Sequence, residues 1–521
     1  MRALLVQARS PTTYWSYDHS LPFVGKQATL PPLGLATLAA HLPARWDLRI
    51  HDLQLGPLRD EQLVWADVVM VSGMLVQAGS MREVLLRARA LGRRTVVGGP
   101  APTTQPDAFP EADHVFLGEA EGRLDLLVDS LESGGTGAPR LLSPTGDDRP
   151  DLSGSRVPRF DLLDLRRYAS FAIQFSRGCP FSCEFCDIIE IFGRVPRVKP
   201  AEQVIAELDA LRKLGARGSL FVVDDNFIGN RRAVAKLLPR IAAWQRERGT
   251  PFDLFTEASV DLALHPELVQ GMVDAGFTAV FLGIESPSPA SLAEAGKKQN
   301  LRIDPARAVA ILTEAGLEVF AGFIVGFDED GEDIFDLQIG FLADLPVPRA
   351  MVGMLSALPG TALWRRLEGE GRLRRAATGD QFDRPNFAPR LPEERLVAGY
   401  RRILAEIYSP EAYYRRCRIQ LERAPPRAGP QRAGSAGTLA RAIWRLGVRS
   451  PRRGHFWRLA WAGLRRGTGA FTRAVTFAIL GEHFLRYTAE EVLPRLDAAL
   501  AEIRAGSAVA SRQAAAPRES F

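Results

Sequence analysis

"RGCPFSCEFCDI", residues 177–188, holds three of the four cysteines in a chain of 521 residues. Cys179, Cys183 and Cys186 stand in a C-x3-C-x2-C spacing. A disulfide framework needs paired cysteines in a small secreted domain, and this long chain offers neither. A closed structural zinc site needs four tetrahedral ligands, and no His or further Cys lies nearby in sequence. Soft thiolates select iron–sulfur clusters, which normally take four cysteines. Three therefore point to a cluster with one iron left open to substrate or cofactor.

The loop directly follows an apolar run, "FAIQFS" from Phe171, the first of six strand-like segments. The others are "SLFVVDDN" from Ser219, "FDLFTEAS" from Phe252, "AVFLGIES" from Ala279, "EVFAGFIVGF" from Glu318 and "AMVGMLSALPG" from Ala350. Helical patterns such as "AEQVIAELDALRKLG" separate them, which predicts a partial (β/α)6 TIM-type barrel over residues 159–380. Barrel chemistry sits at the carboxyl ends of strands. There strand two delivers Asp224 and Asp225, strand three Glu257, strand four Glu285, and strand five "GFIVGFDE" from Gly322 to Glu329. Any single strand-end acid can merely cap the next helix. Four strands carrying acids to one mouth beside a thiolate loop read as a site.

Residues 1–132 carry five further strand-like runs, starting at Ala3, Asp47, Asp67, Arg94 and His114, with helical patterns between them. This predicts a doubly wound parallel sheet, which binds ligands at the carboxyl ends of its strands. Those ends carry Ser72, Gly73, Gly98, Gly99, Gly118 and Glu119, small residues that admit a large flat cofactor to the backbone. Structural turns are the second reading for the glycines. No G-x-G-x-x-G follows the first strand, which argues against a dinucleotide. A Gly, Pro and Asp rich stretch, residues 133–158, reads as a linker. Beyond the barrel, residues 381–505 read as helical, and residues 506–521 as a disordered tail.

The composition is that of a globular chain, with 46% apolar and 24% charged residues. No apolar run approaches a membrane span and "MRALLVQARS" has no signal-peptide pattern, so a cytoplasmic protein is expected. The net charge of +5 conceals an asymmetry. Residues 423–481 hold 12 Arg and no acid, whereas residues 1–422 hold 49 basic against 55 acidic side chains. Within that segment "HFWRLAWAGLRRG" places Trp457, Ala460, Trp461 and Leu464 on one helical face, with Arg458, Arg465 and Arg466 outside it. This pattern suits an anionic membrane surface at the inner face. The alternative pairs the arginines with the acidic body and buries the tryptophans in a helical core. No nucleic-acid-binding module accompanies the charge, so nucleic acid is not expected as a partner.

The cysteine loop resembles the radical S-adenosylmethionine superfamily, whose C-x3-C-x-aromatic-C signature matches Cys179, Cys183, Phe185 and Cys186. Its strand-five G-x-I-x-G-x-x-E pattern matches Gly322, Ile324, Gly326 and Glu329. The resemblance implies a 4Fe-4S cluster on the three cysteines and S-adenosylmethionine on its open iron. Asp224 and Asp225 fall where that family receives the amino group, Glu257 and Glu285 at ribose or substrate, and Gly322 to Gly326 beside adenine. "PPLGLATLAA", "VVGGP" and "LGEAE" resemble the cobalamin-binding domain of the cobalamin-dependent branch. The D-x-H-x-x-G motif that gives cobalt an imidazole is absent, so the resemblance implies cobalamin without a lower His ligand, with Met74 to Gln77 facing that side of cobalt. "CDIIEIFGRVPR" and "VDDNFIGN" narrow the likeness to the subgroup of the hopanoid carbon-two methylase. Relatives methylate tetrapyrroles, antibiotics and lipids at unactivated carbons.

The activity so implied is methylation of an unactivated carbon through a 5'-deoxyadenosyl radical and methylcobalamin; family membership does not fix the substrate, and the basic segment favours an apolar lipid such as a hopanoid. An external flavodoxin- or ferredoxin-type electron donor would supply the reducing electron. Two other functions fit the same motifs: a radical rearrangement or ring contraction without methylation, and a non-catalytic cobalamin-binding regulator. The loop Ser10 to Thr29, with Tyr14, Trp15, Tyr17 and Phe23, reads as a wall or lid of the substrate cavity, or as interdomain packing. Cys417, in a helical context, reads as structural.

Overall fold

A computed structural model describes residues 1–134, 139–143, 149–425 and 435–515, with the last helix's side chains described to Gly506. The amino-terminal strands are β1 (Arg2–Gln7), β2 (Asp47–Asp52), β3 (Val68–Ser72), β4 (Arg94–Gly98), β5 (His114–Phe116) and β6 (Leu141–Leu142). They form one parallel sheet in the order β2-β1-β3-β4-β5-β6. Strand alternation sorts its side chains into two cores. Leu4, Val6, Val69, Val71 and Val97 pack on one face, and Ala3, Leu5, Val68, Met70 and Val96 on the other. Burial on both faces is why these strands read as unbroken apolar runs.

The sixth strand corrects the sequence reading. Leu141 and Leu142 lie inside the expected linker, yet they pair with Val115 and Phe116. Two residues in a polar stretch are too short to carry a periodic signal. The linker's residues 135–138 and 144–148 lie outside the described residues.

Next come β7 (Phe171–Ile173), a short antiparallel pair β8 (Ser176–Arg177) and β9 (Arg197–Val198), then β10 (Gly218–Val222), β11 (Phe252–Ala258), β12 (Phe277–Glu285), β13 (Glu318–Val325) and β14 (Ala350–Met354). The second sheet is parallel, in the order β14-β13-β12-β11-β10-β7, with a helix or helical turn between each pair. These are the six strands anticipated for the partial barrel. Leu254, Val280, Leu282, Ala321, Phe323 and Val325 face the helices and join the largest core. Their alternates Phe221, Phe255, Phe281 and Phe320 meet ring to ring on the concave face.

The carboxyl-terminal region is helical, from Glu393–Ile407 through Thr468–Tyr487 to Leu493–Ala515. That last helix overturns the expected disordered tail for residues 506–515, and residues 516–521 lie outside the described residues. The Ser10–Thr29 loop is anchored to this region and is not a free lid. Tyr14 shares a 2.6 Å hydrogen bond with Thr488 and stacks on Tyr408 and Phe484. His483 bonds the Thr13 carbonyl at 2.8 Å, and Ser20 donates to the Ile479 carbonyl at 2.8 Å. With its neighbours fixed, Trp15 lies 5.1 Å from Phe281 and is still 43% exposed.

Candidate functional site

Strand β7 runs through β8 into the cysteine loop. Gly178, at φ +96°, makes the turn, because a Cβ there would stand 2.8 Å from the Gly193 carbonyl oxygen. The Cys179 amide donates to the same carbonyl at 3.1 Å, and the Cys186 amide to the Cys183 carbonyl at 3.2 Å. All three thiols are free. Cys183 is buried, with the Gln299 amide nitrogen 3.6 Å from its sulfur, and the Asn226 amide nitrogen stands 3.9 Å from Cys179 Sγ. Burial pushes the Cys186 thiol up to about 12 and raises Cys179. Each therefore needs a cation to hold it as thiolate. Among the described residues no group of three or more His, Cys, Asp or Glu could hold a single metal ion. A cluster asks less convergence, because each thiolate takes an iron of its own. One loop presenting three thiols with no fourth fits an open-iron cluster.

Phe185 points toward Phe327, 5.9 Å between ring centroids, and both pack with Ile324. Lys297 Nζ lies 5.7 Å from the centre of the Phe185 ring and pairs with Glu285. Sequence reasoning missed Lys297, Gln299 and Asn300. They follow the short helix Pro289–Glu294, with Gln299 and Asn300 in the 3-10 helix Lys298–Leu301, and no periodic pattern marks them. Glu285 itself sits at φ +67°, beyond a register shift in β12. Such strain in a non-glycine residue persists only where its surroundings hold it. Asn300 does so by donating to the Gly283 and Ile284 carbonyls at 2.9 Å each.

The carboxylates at the mouth divide into two kinds. Asp224 is buried and accepts from the Phe175 and Ser176 amides at 2.7 and 2.9 Å and from the Ser176 hydroxyl at 2.6 Å. It therefore ties strand two to the chain entering the cysteine loop. Asp225 accepts from the Gly178 amide at 2.8 Å, and burial pushes its carboxyl up to about 6. The Glu257 carboxylate receives no hydrogen bond or ion pair among the described residues. Burial, reinforced by Asp225 and Glu285, pushes it up to about 8.

That shift has a sign. The folded protein keeps Glu257 protonated far above its ordinary value near 4.5, so the folded form binds the extra proton. Glu257 therefore weakens the fold progressively as pH rises from about 4.5 to about 8. Glu257→Gln is expected to raise the thermal midpoint of the cofactor-free protein at pH 8 and leave it nearly unchanged at pH 4.5. Melting curves across that range check it, and a destabilised variant at pH 8 refutes it.

On strand five, Gly322 has no room for a Cβ, which would meet Phe281 Cζ at 2.8 Å, and Gly326 turns at φ +105°. The loop beyond is held by Asp330, which accepts from the Gly326 and Phe327 amides at 2.7 and 3.1 Å and from Ser291 at 2.6 Å. The motif residue Glu329 lies at the surface near Arg390. Asp330, its neighbour, is the buried one.

The amino-terminal sheet ends in bare backbone. A Cβ on Gly99 would stand 2.5 Å from Ser72 Oγ, and one on Gly73 2.8 Å from Met81 Sδ. Gly98 has only ordinary contacts, Gly118 turns at φ +76° with open space before it, and Met74 is exposed. Gln77 fixes the loop by accepting from the Met74 amide and donating to the Ala8 carbonyl and Ser10. This small, open edge fits a flat macrocycle.

Glu119, expected on the cofactor surface, is engaged by protein side chains. Its carboxylate is occupied by Arg177 at 2.8 Å and Arg197 at 2.7 Å, while Glu121 takes the other arm of Arg177 at 2.6 Å. Arg177 immediately precedes Gly178 and Cys179, so the end of the first sheet grips the base of the cysteine loop. Behind β14, Gly379 abuts Val76 of the same sheet-end region. A thiolate loop in a barrel mouth, clamped to an open-ended α/β sheet, defines an enzyme that aligns two cofactors.

Comparison with known proteins agrees. Residues 27–128 match the model of the B12 binding domain, residues 173–337 that of the radical SAM superfamily, and residues 361–494 a domain of unknown function, DUF4070. An uncharacterized methyltransferase of Synechocystis is 42% identical over 94% of this chain and 92% of its own. The hopanoid C-2 methylase of Rhodopseudomonas palustris is 34% identical over 99% of this chain and 98% of its own. The radical S-adenosylmethionine methyltransferase TsrM of Kitasatospora setae, solved with cobalamin and a [4Fe-4S] cluster, shares the fold. Its TM-score is 0.61 at 16% identity, over 97% of this chain and 99% of that one. The cobalamin-dependent radical enzyme OxsB superposes with TM-score 0.61 at 15% identity, over 97% of this chain and 83% of that one.

The chain belongs to the cobalamin-dependent radical S-adenosylmethionine methyltransferases. Its cofactors are a 4Fe-4S cluster, S-adenosylmethionine and cobalamin. These relatives support methyl transfer over a rearrangement and over a non-catalytic regulator. Among the described residues no helix is long and apolar enough to cross a membrane.

Proposed function

We propose that the chain methylates an unactivated carbon of an apolar polycyclic lipid of the hopanoid type, working at the inner face of the membrane in the cytoplasm with a flavodoxin- or ferredoxin-type electron donor. The observation that carries the substrate class is the aromatic wall beneath the carboxylates. Phe221 stacks on Phe255 at 4.6 Å, Phe281 lies 5.4 Å from Phe320, and the half-exposed Trp15 closes on Phe281. A half-exposed indole set against phenyl rings favours a flat hydrocarbon body. The full-length likeness to a hopanoid methylase supports the same reading.

When bound, the cluster with S-adenosylmethionine supplies hydrogen abstraction, and cobalamin supplies the methyl group. The chain contributes position and exclusion of water. Cys179, Cys183 and Cys186 would hold the cluster. Asp225, Glu257, Glu285 and Lys297 offer complementary charge to an amino acid and a ribose, and Phe185 and Ile324 offer an apolar surface to a base beside the bare backbone at Gly322 and Gly326. Asp224 is assigned a supporting role, since its carboxylate is already taken. Ser72, Gly73, Met74, Gly98, Gly99 and Gly118 would face the corrin, and Glu119 the clamp instead.

The test is anaerobic turnover of reconstituted enzyme with a hopanoid and methyl-labelled S-adenosylmethionine. A product gaining one labelled carbon supports the reading. A product without added carbon, or methylation of a tetrapyrrole in its place, overturns it. Trp15→Ala is expected to lower methyl transfer by about tenfold or more, the loss of one apolar contact of ~1–3 kcal/mol. Cleavage of S-adenosylmethionine should continue, and Trp15→Phe should recover most of the transfer. Unchanged transfer in both variants would remove Trp15 from the substrate wall.

A further inference from the structure

Helix Arg453–Leu464 packs by one side only. Phe456, Leu459, Ala460 and Gly463 are buried, the last so tightly that a Cβ would stand 2.8 Å from the Ala470 carbonyl oxygen of the neighbouring helix. Ala460 thus leaves the outward face anticipated from the sequence. Trp457, Trp461 and Leu464, at i, i+4 and i+7, stay on the outside at 47%, 57% and 50% exposure. Trp457 donates its indole N–H to the Gly447 carbonyl at 2.9 Å, which joins the helix to the π-helical turn Ile443–Arg449. That turn carries Trp444 and Val448, exposed to the same degree. The aromatic side chains therefore do not fill a helical core.

Nor do the arginines pair with the acidic body. Among the described residues Arg445, Arg449, Arg453, Arg458, Arg465 and Arg466 meet no carboxylate, whereas Arg452 pairs with Glu482 at 2.6 Å. Arg449 lies over the Trp444 ring at 5.7 Å and Arg465 over Trp461 at 5.4 Å. The surface is thus indole and guanidinium side by side, in a segment with 12 Arg and no acid.

We infer that this face, Trp444, Val448, Trp457, Trp461 and Leu464 ringed by unpaired arginines, docks the chain on an anionic lipid bilayer. Charge complementarity selects that occupant. The core of a protein–protein interface is depleted of charge, but here charge adjoins the indoles. Indoles settle at headgroup depth, where guanidinium groups reach lipid phosphates. Each basic side chain near such a surface contributes about 1 kcal/mol, so six unpaired ones suffice for reversible attachment. The surface shares no residue with the cysteine loop and stands whichever lipid is methylated.

Sedimentation of the full-length holoenzyme decides it, using vesicles of phosphatidylcholine alone and vesicles that also contain phosphatidylglycerol. Recovery with the anionic vesicles alone is expected, weakening at high salt as charge is screened. Trp444→Ala with Trp461→Ala leaves every indole hydrogen bond to the protein in place, and should reduce binding about tenfold or more. Arg458→Gln with Arg465→Gln should do likewise. Cleavage of S-adenosylmethionine, measured without vesicles, should be unchanged in both pairs. Equal recovery in the supernatant with both vesicle types overturns the inference, as does binding that survives both pairs of substitutions. So does a dimer, or a nucleic-acid complex without vesicle binding, that these substitutions dissolve. Docking without hopanoid turnover would refute the proposed substrate and leave the surface standing.

Discussion

Cys183→Ala is expected to leave the protein with little iron and no cleavage of S-adenosylmethionine, whereas Cys417→Ala retains both. Cys183 is the central cysteine of the loop, buried, with Gln299 approaching its sulfur. On the proposed ligation, removing it leaves two thiols where the cluster would take three, with no other cysteine nearby in sequence. Activity should fall to background. Cys417 lies wholly buried in the helix Pro410–Arg423, where burial drives its thiol far above the ordinary range. Such a thiol is inert as a ligand, and Ala there removes a small buried group at a cost of ~1 kcal/mol. Iron and sulfide content, the electron paramagnetic resonance signal of the reduced cluster and 5'-deoxyadenosine release report the outcome. Iron lost from Cys417→Ala and kept by Cys183→Ala would dismantle the assignment.

What the residues disclose by themselves follows from the range of the forces involved. The strands of both sheets were readable because parallel strands buried on two faces must be apolar along their length, as in "AVFLGIES" and "DVVMVSG". The thiolate loop was readable because its spacing is local. Strand β6 was not, being two leucines in a polar stretch. The role of Glu119 was not either, since its partners Arg177 and Arg197 lie 58 and 78 residues away. Asp224 shows the same limit: a strand-end acid looks alike whether it faces a ligand or the backbone of the adjacent strand. Helical periodicity placed Trp457 and Trp461 on one face, and only packing could say that the face is outward.

Arg177→Gln is expected to lower methyl transfer on the order of a hundredfold while the cluster still assembles. The guanidinium is buried between Glu119 and Glu121, and Arg197 shares Glu119. Removing one partner from a buried pair leaves uncompensated charge, at a cost of ~3–5 kcal/mol. The clamp is then free to open, and on the proposed assignment its two sides face different cofactors: sheet-end glycines on one, the cysteine loop on the other. A displacement near 1 Å between reacting groups costs on the order of a hundredfold in rate. Cleavage of S-adenosylmethionine depends on the barrel alone and should persist, so the lesion appears as uncoupling, with 5'-deoxyadenosine released in excess of methylated product. Arg177→Lys keeps the charge but loses the two-armed geometry, and should recover only part of the transfer. A purely structural arginine would lose cluster, cleavage and transfer together. Parallel loss of all three in Arg177→Gln would show that the residue merely holds the fold, and a constant ratio of the two products would show that the clamp does not set the distance between the cofactors.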